Sequence, residues 1–313
     1  MLSDAPNAPS VLVLLATFNG VEFLESQIRS IQAQHLVDVT FFVVDDASTD
    51  STVSLLREMI PAHQLCLTVN ATRVGLPGAY LWLLANAPKG HALYAFSDQD
   101  DLWHKDKLVT AWQALSQLDD KRPALWVCNY DLLINNKNEI NTFYRRPAAP
   151  SFGNALVDGI GPGCSMVWNP ALQHALELPS PKNCIMHDRW MYASAISLGS
   201  VLQDENTLMT YRLHSNNSVG MDARLTSRVR RHWKAQHGES ATFERQAAEL
   251  EQRYGGKLGL QNRRIIRGFA HGNRFSRGMH WVKGDLKRHR TKDNVLLLFR
   301  LMLFTNKGTR ATP

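Results

Sequence analysis

Residues 11–44 read VLVLLATFNGVEFLESQIRSIQAQHLVDVTFFVV. The two ends of this stretch, Val11–Ala16 and Thr40–Val44, are short, continuous runs of β-formers, the pattern of strands buried on both faces. Between them Leu24, Ile28 and Ile31 recur at helical spacing, so the stretch predicts a strand, a helix and a second strand, and strands joined by such a crossover run parallel. The alternation continues outward. Helices are predicted over 51–59, 79–87 and 105–118, and strands over 65–69, 92–96 and 125–130. This order specifies an α/β fold with an open, mostly parallel sheet flanked by helices on both faces. Ligands of such sheets sit at the carboxyl ends of the strands.

Beyond Pro147–Pro150 the texture changes to a glycine-rich turn, Gly159-Ile-Gly-Pro-Gly163, a short strand over 165–168 and a helix over 187–198. The turn leads into a strand where a dinucleotide fingerprint would open a helix, which excludes that reading. Charge divides the chain at 223/224. The net charge is +7, but residues 224–313 hold 21 Lys+Arg against 6 Asp+Glu, leaving −8 for the first 223. The second part reads as successive basic helices and closes on an apolar run, Asn294–Phe304, interrupted by Arg300. That run is too short and too charged to span a bilayer, which takes about 20 apolar residues. Cys66, Cys128, Cys164 and Cys184 are too scattered for a zinc ribbon or a disulfide framework and read as reduced cytosolic thiols. Asp4, Pro6, Asn7 and Pro9 precede the first hydrophobic run, so no export signal is predicted and a cytoplasmic location follows.

Phe96-Ser-Asp98-Gln-Asp100-Asp101-Leu-Trp103 places three carboxylates at the end of an apolar strand. Like charges so close repel unless a cation or a hydrogen-bond network holds them. Carboxylates plus a substrate diphosphate are the ligands that Mg²⁺ or Mn²⁺ accepts, and Asp98 and Asp100 are assigned to that role. Capping needs one side chain, and Asp101 is assigned as the cap of a helix starting near His104. A second acidic strand end, Asp45-Asp46-Ala-Ser48-Thr-Asp50, lies beside Thr17-Phe18-Asn19 at the same sheet edge. Together they supply acceptors and an aromatic face suited to a pyrimidine nucleoside.

With ATFNG at 16–20, VVDDASTD at 43–50 and FSDQDDLWHKDKL at 96–108, the chain from Val11 to Leu108 resembles the nucleotide-binding half of glycosyltransferase family 2, which has the GT-A fold, and in particular its bacterial rhamnosyltransferase-like members. The resemblance implies that Asp46 contacts the base, that Thr17, Phe18 and Asn19 line its pocket, that Asp98 lies near the ribose or metal and that Asp100 holds the metal on the diphosphate. Arg73 and Gly75 fall in a segment that carries further donor contacts in such enzymes. A GT-A catalytic domain over 1–223 is implied, with nucleotide-sugar binding in 10–131 and the acceptor side in 132–223, followed by the basic helical region 224–313.

The resemblance runs on through Gly163-Cys-Ser-Met166, Met186-His187-Asp188-Arg189-Trp190 and Tyr211–Gly220. Inverting transfer needs one base to take the proton of the attacking hydroxyl, and Asp188 matches that position. A carboxylate serving backbone donors at a helix N-terminus is the competing reading of Asp188. His187 reads as its packing neighbour. His214 is either a further ligand of the metal or diphosphate or merely structural. The implied donor is dTDP-L-rhamnose, with a UDP-hexose next, and the implied acceptor is a saccharide or a lipid-linked sugar of a bacterial surface polysaccharide.

Arg228-Val-Arg230-Arg231, Arg263-Arg264, Lys287-Arg288-His289-Arg290 and the closing helix suggest attachment to an anionic membrane surface at the inner face of the cell membrane. Packing of that helix on its own domain or on a second subunit, as a homo-oligomer, is the alternative. Two rival functions share some features. A nucleic-acid binder would use the basic clusters with Trp233 and Trp281, against which stands the acidic α/β half. A metal-dependent phosphohydrolase would gather more His and Asp ligands than this sequence places together.

Overall fold

In the computed structural model the described residues are 8–134, 139–141, 149–177, 179–214, 242–289 and 291–303. The predicted opening holds: β1 (Ser10–Thr17), α1 (Val21–Gln32) and β2 (Asp38–Asp45) are followed by α2 (Thr52–Met59), β3 (Leu65–Val69), α3 (Gly78–Asn86) and β4 (Leu93–Ser97). β3, β2, β1 and β4 lie side by side, all parallel. Residue pairing runs Val13 to Phe41 and Val13 to Ala95, so the carboxyl ends of β1, β2 and β4 finish at one edge.

Alternate residues of each strand feed two cores. Val11, Val13, Leu15, Phe41, Val43, Leu93 and Ala95 face α1, α2 and the helix α4 (Lys107–Leu115). Leu12, Leu14, Phe42, Val44, Tyr94 and Phe96 face α3 and the helices of the second half. Each such side chain, fully buried, contributes about 1.5–3 kcal/mol, which is why the strands read as unbroken apolar runs.

The second half continues the sheet. β5 (Leu102–Trp103) precedes α4, and β6 (Ala124–Ile134) carries a hairpin partner, β7 (Glu139–Asn141). After α5 (Phe152–Val157) comes β8 (Met166–Trp168), inserted antiparallel between β4 and β6. α6 (Pro170–Leu176) and α7 (His187–Leu198) lead to β9 (Ser200–Leu213), which runs parallel to β6 and antiparallel to β5. Pairing of β6 with β9 slips between Val127 and Tyr130, so the polar Asp204–Asn206 bulges out.

The basic region does not hang free. α8 (Phe243–Tyr254), α9 (Leu260–Ala270) and α11 (Thr291–Leu303) send Phe243, Leu250, Ile266, Phe269, Leu297 and Leu301 into the core that holds Leu12 and Phe96, and α10 (Arg274–Val282) lays Trp281 against it. Backbone contacts add to this: Asn154 Nδ2 donates to the Lys287 carbonyl and Arg288 Nε to that of Val157, at 2.8 and 2.9 Å. The 223/224 division, Arg228–Arg231, Trp233, Arg290 and residues 215–220 lie outside the described residues.

Candidate active site

The loop after β1 is tied to the loop after β2. Thr17 Oγ1 donates to Asp45 at 2.8 Å, and Asp45 also accepts from the Ser48 amide and hydroxyl. Asn19, in the left-handed region at φ 46°, donates its amide to the Ser48 hydroxyl oxygen and accepts the Thr49 amide at its side chain. Gln99, from the acidic loop, clasps the Phe18 backbone from both sides, accepting at 2.8 Å and donating at 3.1 Å.

Asp46 holds a third loop. Its buried carboxylate accepts from the Val74 and Gly75 amides at 2.8 and 2.7 Å and from Asn70 Nδ2 at 2.9 Å. Burial pushes the other way, but these hydrogen bonds and the Arg73 charge hold its carboxyl below the usual aspartate range. Gly75 has φ +74°, which a side chain would strain. The loop so fixed lays the Arg73 guanidinium over the Phe18 ring at 3.6 Å from the centroid. Thus Thr17, Phe18, Asn19, Asp46, Arg73 and Gly75 lie together, and Asp46 acts on the loop itself.

Asp98 and Asp100 lie at the end of β4. Tyr80, from the apolar face of α3, reaches across to donate its hydroxyl to the Ser97 carbonyl and to Asp98 Oδ1, both at 2.6 Å. Burial, then the charge of Asp100, raises the Asp98 carboxyl above its usual range, and the Tyr80 hydroxyl works against that rise. Asp100 Oδ2 meets His214 Nε2 at 2.7 Å, so the histidine left open by the sequence sits on the acidic loop. Arg212 Nε donates to the Asp100 carbonyl at 2.9 Å, which draws the end of β9 onto the same loop.

Asp101 is not a helix cap. α4 starts at Lys107, and β5 intervenes. Beside the two-residue strand Asp101 faces inward, where Oδ1 accepts the Arg212 amide at 3.1 Å while Oδ2 is buried without a hydrogen-bond partner among the described residues. Burial and the charges of Asp98 and Asp100 push its carboxyl well above the ordinary value. Beneath it Lys107 is fully buried, its ammonium over the Trp103 ring at 3.4 Å and bonded to the Cys164 carbonyl. Burial lowers this lysine to about 8.

Asp98, Asp101 and Cys164 bring candidate ligand atoms within 4.8 Å of one another. Burial holds the Cys164 thiol well above its usual pKa, so it remains protonated and offers little to a hard cation. The carboxylate oxygens are the fitting donors. Crowded acids whose pKa values rise first through burial and then through mutual repulsion are a set that Mg²⁺ or Mn²⁺ would relieve.

The start of α7 reaches the same place through His187. Its buried ring stacks on Tyr80 at 3.9 Å and meets Phe96 edge-on at 5.0 Å. Among the described residues neither ring nitrogen has a hydrogen-bond partner, and burial lowers its pKa to about 4, so the ring is neutral. The glycine turn makes room: a Cβ on Gly163 would lie 2.4 Å from His187 Nε2. Asp188, the next residue, is half-buried in the first turn of α7, its Oδ1 accepting only the adjacent Arg189 amide among the bonds identified, at 2.6 Å. Burial raises its carboxyl, against the opposing Arg189 charge. Glu249 of α8 holds the approach to this helix, accepting from the Lys182 and Asn183 amides at 2.9 and 2.6 Å. Gln99, Lys107 and Arg212 stand inside the quoted motifs without a signal of their own, and Tyr80 and Glu249 stand outside them, so all five escaped the sequence reading.

Two tethered loops with a stacked arginine, an acidic strand end and a raised carboxylate on the next helix form one constellation, and residues 12–167 match the profile of Glycosyl transferase family 2. The chain belongs to glycosyltransferase family 2. It is 27% identical over 228 residues to the dTDP-rhamnosyl transferase RfbG of Shigella flexneri, covering 69% of this chain and 77% of that one. It is 26% identical over 217 residues to a Bacillus subtilis protein named for teichuronic acid biosynthesis, the glycosyltransferase TuaG, covering 67% and 81%. Among solved structures, the mannosyltransferase PcManGT of Pyrobaculum calidifontis, in complex with GDP-Man and Mn²⁺, aligns with a TM-score of 0.57 at 20% identity, over 87% of this chain and 73% of that one. S. aureus TarS 1-349, in complex with UDP-GlcNAc, aligns at 0.53 and 14% identity, over 94% and 90%. These likenesses establish the fold as GT-A, as the family 2 motifs imply.

Proposed function

We propose that this family 2 enzyme transfers a sugar from a pyrimidine nucleotide diphosphate to a saccharide or lipid-linked acceptor of a bacterial surface polysaccharide, with inversion at the anomeric carbon. The donor favoured is dTDP-L-rhamnose, a reading supported by the likeness to the Shigella relative. A UDP-hexose stands next. The observation that carries the proposal is the chain of contacts from Asp98 through Tyr80 to His187, which puts Asp188 on the helix packed against the acidic strand end.

The Phe18–Arg73 stack would form one wall of the base pocket, and the backbone of 17–19 and 73–75, fixed by Asp45 and Asp46, would line the nucleoside. Asp98 and Asp100 would hold Mg²⁺ or Mn²⁺ on the diphosphate, with His214 orienting Asp100. The ion, when bound, would neutralise charge that builds on the departing diphosphate. Asp188 takes the proton of the acceptor hydroxyl. The freed oxygen then attacks the anomeric carbon as its bond to the diphosphate oxygen breaks, and no covalent enzyme intermediate forms. The raised carboxyl of Asp188 suits a base working near neutral pH.

Calorimetry with dTDP and UDP tests the donor side. Binding is expected to need Mn²⁺ and to vanish in Asp100→Ala. Binding indifferent to both the ion and the substitution refutes the assignment. Asp188→Asn should bind nucleotide as the wild type does and lose about 10²–10⁴ of the transfer rate.

A further inference from the structure

The closing helix divides its apolar residues between two fates. Leu297 and Leu301 of α11 are in the core, and Arg300 is tied to Glu244 at 3.1 Å in a largely buried pair. Val295, Leu296 and Phe299 point the other way and are 51%, 59% and 57% exposed. α10, which packs against α11, repeats the pattern. Phe275, Met279 and Val282 recur at four- and three-residue intervals, hence on one side of the helix, and are exposed. Leu286, in the turn between the two helices, is fully buried. Burial of the inner side therefore anchors the hairpin while six large apolar residues face outward.

Cations accompany this face. Residues 274–303 hold 8 Lys+Arg and 2 Asp+Glu, and of the cations Arg277, Arg288 and Arg300 turn inward to the Phe269 and Val157 carbonyls and to Glu244. Arg274, Lys283 and Lys287 are exposed, whereas Asp285 is engaged by His280 at 2.8 Å. Among the described residues no helix is long and apolar enough to cross a membrane. An apolar strip rimmed by exposed cations is complementary to a layer with an acyl interior and anionic headgroups. A second copy of the same face would bring like charge against like.

We propose that the outer side of the α10–α11 hairpin is a seat for an anionic lipid bilayer, with Phe275, Met279, Val282, Val295, Leu296 and Phe299 entering the headgroup boundary and Arg274, Lys283 and Lys287 meeting the headgroups. This attachment does not rest on the sugar-transfer reading, and its test uses no donor.

The test is sedimentation of the full chain with vesicles of phosphatidylcholine, with or without about 30 mol% phosphatidylglycerol. The anionic vesicles are expected to bind at least about tenfold better, with binding that weakens as NaCl rises. Phe275→Ser, Val282→Ser and Phe299→Ser combined should cut binding by about tenfold or more, as should Lys283→Glu with Lys287→Glu. All five positions are exposed, and an unchanged melting temperature verifies the fold. Equal binding to neutral and anionic vesicles overturns the proposal, as does indifference to both variants. It is equally overturned if the wild type ignores vesicles and either forms a dimer that the serine variant splits, by light scattering, or binds an oligonucleotide that the lysine reversals release.

Discussion

Tyr80→Phe removes a single oxygen from a fully buried ring and leaves the stack on His187 its shape. The lost hydroxyl is the donor to Asp98 Oδ1 and to the Ser97 carbonyl at 2.6 Å each. A hydrogen bond to a charged group contributes about 1.5–3 kcal/mol, which as binding would be about 10- to 100-fold. Two features favour the lower end. The hydroxyl is shared between two acceptors, and Asp98 is half-exposed, so water can replace part of the bond. About tenfold weaker Mn²⁺-dependent binding of UDP or dTDP is therefore expected at pH 7.5 by calorimetry. The loss should deepen at pH 6. Burial and Asp100 already raise the Asp98 carboxyl, and Tyr80 opposes the rise; without it, protons compete better with the cation as pH falls. The contact of Arg73 with Phe18 is untouched, so the loss should lie wholly in the Mn²⁺-dependent binding. Unchanged metal-dependent affinity at both pH values, in a folded variant, refutes the reasoning.

The transfer rate should fall on the acid side as protons return to Asp188. Its carboxyl is raised by burial, so the limb of kcat/KM should lie above the ordinary value of 3.8, and a limb at or below 3.8 counts against Asp188 as the base. Gly163→Ala should drive a methyl group into His187 and cost about 1–3 kcal/mol of unfolding free energy in denaturant titrations, with no loss refuting the close approach. Glu249→Gln should cost about 1–3 kcal/mol at neutral pH. Although burial opposes it, bonds from Arg253, Lys182 and Asn183 hold the Glu249 carboxyl below 4.5, so its stabilisation is present above that pH and is lost as pH falls through the lowered folded value. A stability gap between the variant and the wild type that stays constant into acid would contradict this.

Where each element buries a regular pattern, the sequence told the fold. Strands β1 to β4 are apolar on both sides because both sides meet helices, and that leaves an unbroken run. β9 left no such trace: Gln203-Asp-Glu-Asn-Thr207 interrupts it at the bulge, where polar residues are free to face water. Asp101 was read as a cap since a carboxylate before a helix usually is one; the two-residue β5, too short for any periodicity, turns it inward instead. The basic helices hid their inner stripe in the same manner, since charge dominates their composition while Ile266, Phe269 and Leu297 decide where they pack. Motif acids were legible as types, but their supports were not. Tyr80 stands in an all-apolar helix, and Gln99 stands between two aspartates that draw the attention.

Those supports decide how the two halves work together. Asp98 has its carboxyl raised by burial and by Asp100, so an anionic Asp98 is held against a gradient, and Tyr80 is the contact from α3 that favours the charge. The ring of Tyr80 is in turn fixed by His187, which can approach only where Gly163 has no side chain. His187 opens the helix that carries Asp188, and the segment leading to it is held by Glu249 and Gln246 of the basic region. A change in that region thus reaches the reacting end through packed rings and two backbone-bound side chains. The acidic strand end and the start of α7 share one support, and disturbance of α8 should register in nucleotide affinity before any substrate is turned over.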